Sequence, residues 1–135
     1  MNGAPAATLP SAARLKSQHD FRAVYQRGRR AAGQWMTVVV LRRRPPTDGK
    51  VLAPPRLGVS VSKDHGGAVR RNKLKRLLRE AFRLERHRLP RGLDVVLIPR
   101  QRDLRFPLAA MRSEVVALVQ RALAGGDERR PRPRP

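Results

Sequence analysis

Apolar positions along the chain recur with two periods, and the switches between them outline the elements. In "SQHDFRAVYQRG" (17–28), Phe21, Val24 and Tyr25 share one face at helical spacing. Ser17 can cap this helix, Asp20 follows three residues on as in a capping box, and Gly28 can end it. "QWMTVVVL" (34–41) is β-branched and predicts a strand. "RLGVSVSK" (56–63) alternates, with Leu57, Val59 and Val61 on one side and Gly58, Ser60 and Ser62 on the other. That pattern predicts a half-buried strand with an unusually small second face. A further short strand is expected around Lys50–Leu52. A helix follows from about Arg70 to Arg88, then a strand "LDVVLIP" (93–99). "FPLAAMRSEVVALVQRALAGG" (106–126) closes the pattern as a helix with Pro107 in its first turn. Its apolar stripe is Leu108, Met111, Val115, Val119 and Ala122, and Gly125 ends it.

The order is α-β-β(-β)-α-β-α, and the fold class is α+β: a sandwich of one central sheet with helices packed on it. The domain is expected over residues 14–124. Disordered tails are expected on either side, residues 1–13 uncharged and residues 125–135 basic.

The helix near Arg70 breaks a local rule. "GGAVRRNKLKRLLREAF" (66–82) opens with Arg70, Arg71 and Lys73, where the macrodipole favours Asp or Glu. At about 100° per residue, Leu74, Leu77, Leu78, Ala81, Phe82 and Leu84 form the core face. Asn72, Lys75, Arg76, Arg79, Arg83 and Arg86 gather opposite, with Glu80 and Glu85 outside that cluster. Each like-charge i,i+4 pair costs roughly 0.2–0.5 kcal/mol. A face built against its own electrostatics points to an anionic partner. Helix-start amides behind Gly66–Gly67, together with arginine forks, suit phosphate. The competing reading is a solvated face in an arginine-rich chain.

Composition strengthens the first reading. The chain has 135 residues and a net charge of +21, and only five of its 31 cations are lysine. Self-repulsion on that scale favours nucleic acid as partner over a membrane surface, since the cations are not confined to one amphipathic segment. No cysteine is present, which removes disulfides and thiolate chemistry. No apolar run approaches the roughly 20 residues of a membrane span. A cytoplasmic protein without a membrane partner is the expectation.

Catalytic groups are sparse. His19, His65 and His87 lack metal-ligand spacing and are expected at the surface or against RNA. Asp64, Glu80 and Asp94 stand singly, and Gly66–Gly67 is no phosphate-binding P-loop. Phe21 and Tyr25 admit two readings, core packing or a stacking platform for unpaired bases. The small-residue strand face favours the second, because a helix laid across it leaves a shallow groove.

These residues also carry a family resemblance. "RLGVSVSKDHGGAVRRNKLKRLLREAF" (56–82) closely resembles the signature of the bacterial ribonuclease P protein component. "ARLKSQHDFRAVYQRG" (13–28) is similar to that family's first helix and "LDVVLIPR" (93–100) to its last strand. The resemblance implies an αβββαβα fold with a mixed sheet and a left-handed β-α-β crossover around the basic helix. It implies two partners, a catalytic RNA and precursor tRNA with its single-stranded 5′ leader. Mg²⁺ is then expected at the RNA active site, with no metal and no catalytic residue on the protein. For the catalytic RNA, the resemblance implies contacts from Arg71, Asn72, Lys75, Arg76 and Arg79, beside which Arg70, Lys73 and Arg83 are candidates. For the leader cleft it implies Phe21, Tyr25, Ser60, Ser62 and Lys63, with Val39 at a position that often holds an aromatic. Lys73 replaces the usual Arg, which weakens the case for a bidentate phosphate contact there. Gly67 replaces the usual Asn.

The leading expectation is therefore the protein subunit of a ribonucleoprotein endoribonuclease that removes the 5′ leader. The alternative is a structural RNA-binding protein of ribosomal type. A protein nuclease acting alone is disfavoured by the missing catalytic groups.

Overall fold

The computed structural model describes residues 9–45, 48–49, 51–100 and 107–125. Three α-helices and four strands follow in the order α1 (Gln18–Arg27), β1 (Arg29–Ala32), β2 (Met36–Arg42), β3 (Arg56–Val59), α2 (Ala68–Glu85), β4 (Leu93–Pro99) and α3 (Leu108–Gly125). The sheet runs β1-β2-β4-β3, antiparallel except between β3 and β4. The α+β class and the αβββαβα order are those expected.

Two clusters of apolar side chains share the sheet. On one face Met36, Val38, Val40, Leu57, Val95 and Leu97 meet α2 through Leu74, Leu78 and Phe82, and α3 through Met111, Val115 and Val119. On the other face Val39 and Val96 meet Val24 of α1 and Leu15. Alternation along β2 and β4 thus feeds both layers, and the residues from Leu93 to Leu97 are all buried. Packing begins before residue 14: Leu9 precedes a single 3₁₀ turn, Ala13 ends it, and both are buried.

β3 and β4 are joined through α2, and the ladder sets the hand of that crossover. The Leu97 carbonyl accepts from the Ser60 amide at 3.0 Å, so it points toward β3, while its side chain enters the cluster shared with α2. For an L-residue seen with its side chain toward the eye and the strand running up, that carbonyl points right. β3 therefore lies to the right of β4, and a chain passing from β3 through α2 in front to β4 moves left. The crossover is left-handed, against the general preference.

One expected strand is misplaced. The segment around Lys50–Leu52 is not a strand: Val51 and Leu52 lie in irregular backbone with Val51 exposed, and Lys50 is outside the described residues. The additional strand is β1, "RRAA", which no propensity argument selects. Tertiary contacts hold it instead. β1 pairs with β2 across a tight turn, and Glu114 on α3 caps that turn. One carboxylate oxygen accepts from Gln34 N at 2.8 Å, the other from Trp35 N at 2.7 Å and Met36 N at 2.9 Å. Gly33 permits this approach, since a Cβ there would lie 2.5 Å from the Glu114 carboxyl carbon. Gly28 has a similar role where α1 ends: its φ is −80°, and a Cβ would sit 2.5 Å from the Val24 carbonyl oxygen.

Glu114 is the most informative residue to change. Glu114→Ala leaves three strand-turn amides without their ionised acceptor and should cost about 2–3 kcal/mol. Glu114→Gln, which keeps acceptor oxygen but no charge, should cost less. Urea unfolding at unchanged m-value measures both, and an unaltered midpoint for the alanine variant would show that water serves these amides as well.

Candidate nucleic-acid interface

α2 is placed by its apolar side. Leu74, Leu78, Ala81 and Phe82 are buried, which turns Asn72, Lys75, Arg76, Arg79 and Arg83 away from the sheet. Those five line a groove of about 450 Å³ together with Arg14, Leu9 and Glu80. Arg14 belongs to the segment before α1 and reaches the groove because it bridges to Leu57 of β3. Burial, with Arg14 close by, pulls the Arg79 guanidinium below its usual range. A half-buried cation crowded by a second one favours an anion between them.

The outer face is not purely cationic, and here the sequence expectation is corrected. Glu80 lines the groove and holds Arg83 in a fork, with Nε–Oε1 at 3.0 Å and NH2–Oε2 at 2.6 Å. The i,i+3 step brings the two together although the idealised wheel separates them. Arg83 in turn holds the Glu80 carboxyl below the usual range. Glu85 faces inward and pairs with Arg112 at 2.5 Å and with Arg88 at 3.5 Å. Arg86 turns to the Pro55 carbonyl at 2.8 Å.

The other three candidates occupy the first turns of α2. Arg70 and Lys73 are exposed, and Arg71 is half-buried with its Nε shielded from solvent. Gly66 makes the approach to this helix possible: its φ of 111° suits glycine, and a Cβ would meet the Arg70 side chain at 2.7 Å. Gly67 is the N-cap and supplies no side-chain acceptor, so no side chain caps the first amides. His65, just upstream, is buried at 6% exposure rather than at the surface, because the 3₁₀ turn Lys63–His65 folds it under the chain. His19 and His87 are exposed.

On the opposite side of the sheet, α1 carries the aromatics. Ser17 Oγ accepts from Asp20 N at 3.0 Å, the expected cap. Val24 is buried, while Phe21 and Tyr25 are half-buried along one flank, ring centroids 6.4 Å apart. The Phe21 ring lies over Gly58, where a Cβ would come within 2.6 Å of its edge. The Arg30 guanidinium carbon stands 5.7 Å from the Tyr25 centroid in cation–π contact. The rings cover a small core and remain half-exposed, which leaves both readings of these aromatics open. Ser60 is half-buried just past β3, and Ser62 and Lys63 are exposed at the 3₁₀ turn. Val39 differs. It is fully buried beneath α1, with its Cγ1 3.0 Å from where a Gly28 Cβ would stand, so it offers no open surface.

Arg14 and Arg30 are the site residues that sequence reasoning missed. Each lies outside the motif that drew attention, Arg14 before α1 and Arg30 on the unpredicted β1. Among the described residues no group of three or more His, Asp or Glu side chains could hold a metal ion. No described helix is long and apolar enough to cross a membrane.

The chain is similar to known proteins in sequence and in fold. The sequence profile of the Ribonuclease P family matches residues 9–123. The ribonuclease P protein component of Symbiobacterium thermophilum is 39% identical over 114 residues, covering 84% of this chain and 94% of that protein. That of Streptomyces griseus is 40% identical over 123 residues, covering 87% and 98%. Among solved structures, the RNase P protein from Thermotoga maritima superposes with a TM-score of 0.66 at 31% identity, covering 80% of this chain and 96% of that one. The Staphylococcus aureus RNase P protein gives 0.64 at 28% identity, with 82% and 94% covered. Matched along most of its length in sequence and in fold, the chain belongs to the ribonuclease P protein family.

Proposed function

We propose that this chain is the protein subunit of a ribonuclease P ribonucleoprotein, binding the catalytic RNA through α2 and the 5′ leader of precursor tRNA beside α1. The observation that carries the reading is the α2 groove, where Arg14, Lys75, Arg76 and Arg79 converge around a single carboxylate already held by Arg83. Cations at that density suit the phosphates of a folded RNA. The uncapped start of α2, flanked by Arg70, Arg71 and Lys73, extends the same surface.

The leader would lie along the aromatic flank of α1. Phe21 and Tyr25 offer stackable faces, Arg30 adds charge beside Tyr25, and Ser60, Ser62 and Lys63 supply hydrogen bonds from the strand side. Hydrolysis and its Mg²⁺ are assigned to the RNA. The protein's part is to hold substrate and catalyst together, which raises the affinity for precursor over mature tRNA.

Three outcomes test this. Precursor tRNA incubated with the protein alone should stay intact, and at low Mg²⁺ the protein should promote cleavage by a ribonuclease P RNA. Accurate 5′ cleavage by rigorously RNA-free protein would overturn the assignment. Replacing Arg76 and Arg79 by Gln should weaken binding of the catalytic RNA and flatten its salt dependence by up to about one log–log unit per lost contact. A folded double variant with native affinity and slope would remove α2 from the interface.

Phe21→Ala separates leader contact from packing. A base stacked on the ring is worth about 1–3 kcal/mol, so preference for leader-bearing substrate should fall roughly 5- to 150-fold. The ring is only half-buried, so the loss of stability should stay below the ~3–5 kcal/mol of a core Phe. Gly58→Ala, which pushes the ring off its seat, should reproduce part of the leader effect. Intact leader preference alongside a large fall in Tm would assign Phe21 to the core alone.

A further inference from the structure

A second arginine-lined groove lies away from α2, on the other flank of α1. It occupies about 700 Å³ where β2 ends and β4 begins. Five arginines line it, Arg27 from α1, Arg42, Arg43 and Arg44 from the end of β2, and Arg91 from the turn before β4. Two carboxylates, Asp20 and Asp94, share the wall. Asp94 is already engaged, with both its oxygens 2.8 Å from the Arg56 fork and Oδ1 3.3 Å from Arg43 Nε.

The five arginines divide by role. Arg43 is a structural clamp: its amide donates to the Gly92 carbonyl at 2.7 Å and its NH2 to the Pro54 carbonyl at 2.9 Å. Arg91 Nε is held by the Leu52 carbonyl at 2.6 Å. Arg27, Arg42 and Arg44 are exposed and make no ion pair among the described residues. The fold needs none of the three for its core, and together they raise its self-repulsion. Leu41, Leu52, Ala23 and the exposed ring of His19 also line the groove, with no Phe, Tyr or Trp among its described residues. Five arginines against one exposed imidazole make contact with a phosphate backbone, rather than stacking of unpaired bases, its main chemistry.

We propose that this groove is a second RNA-docking surface, taking the backbone phosphates of a base-paired segment of the catalytic RNA through Arg27, Arg42 and Arg44. The proposal rests on the ribonucleoprotein reading above and adds a contact that α2 does not make. On α1, Asp20, Ala23 and Arg27 fall on the flank opposite Phe21 and Tyr25, so a paired segment docked here leaves the leader cleft open. α1 would then lie between two RNA strands of different kinds.

The test compares two sets of variants in the full chain. Arg27, Arg42 and Arg44 changed together to Gln should lower affinity for a ribonuclease P RNA and flatten its salt slope by about one unit per lost contact. Preference for leader-bearing over mature tRNA should be unchanged. Changing the same three to Lys should restore most of the slope. Because the chain has no native cysteine, Ala23→Cys provides a unique attachment point for a photo-crosslinker, which should mark paired nucleotides of the catalytic RNA. Native affinity and slope for the Gln triple, while the Arg76 and Arg79 variant binds weakly, would overturn this proposal and leave the α2 reading standing. Native binding by both sets would overturn both. A loss of leader preference in the triple, or crosslinks from Ala23→Cys to the leader or to protein, would give the groove a different occupant and also overturn it.

Discussion

The architecture depends on one constraint, the two-sided burial of β4. Its neighbours on both edges are strands, antiparallel β2 and parallel β3, and residues Leu93 to Leu97 are shut away from solvent. A strand buried on both faces needs a layer on each. α2 and α3 supply one and α1 the other, and this puts the basic groove of α2 and the aromatic flank of α1 on separate sides of the sheet. The parallel β3–β4 pairing adds a second requirement, since parallel neighbours need a long crossover. That crossover is α2. Its apolar side is fixed against the sheet, so its cationic side has nowhere to point but outward.

Charge follows from the same layout. The chain has ten acidic residues against 31 basic ones, and two of the acids, Glu85 and Asp94, are buried. Asp94 ties the start of β3 to β4 through Arg56 and meets the end of β2 through Arg43. Glu85 ties α2 to α3 through Arg112. Glu114 caps the β1–β2 turn with three amide contacts. Carboxylates used as clamps reach only a few of the outer arginines, as Glu85 does Arg88. The α2 groove keeps one acid, Glu80, and the groove at the strand ends keeps Asp20 and Asp94, so arginines outnumber carboxylates in both.

Much of this was legible because the signals are local. The Ser17 cap, the Leu74–Leu78–Phe82 face, the Met111–Val115–Val119 stripe and the apolar run of β4 each lie within a few turns or one strand. β1 was not legible because nothing in "RRAA" favours a strand; it is held by β2 and by a carboxylate some eighty residues away. Arg14 enters the α2 groove through a bridge to Leu57, another long-range contact. Glu80 misled because an idealised wheel fixes Cα directions, whereas long side chains at i,i+3 still meet. Val39 misled for the opposite reason. Expected at the cleft surface, this valine is small enough to be fully buried under α1, while Phe21 and Tyr25 stay half-exposed beside Arg30.

The uneven placement of charge gives salt two opposite effects. In the free protein the outer arginines repel one another, and screening relieves that strain, since the clamps around Asp94 and Glu85 are sheltered and little weakened. In the complex the same arginines would face phosphates, and added salt reduces the free energy gained from released counterions. Binding a polyanion stabilises whichever folded state presents the cations together. α2 presents them together only when its apolar side is seated on the sheet. On the proposed reading, folding of the basic helix and recognition of RNA would be coupled through one element: the burial of Leu74, Leu78 and Phe82 sets the direction in which Lys75, Arg76 and Arg79 point.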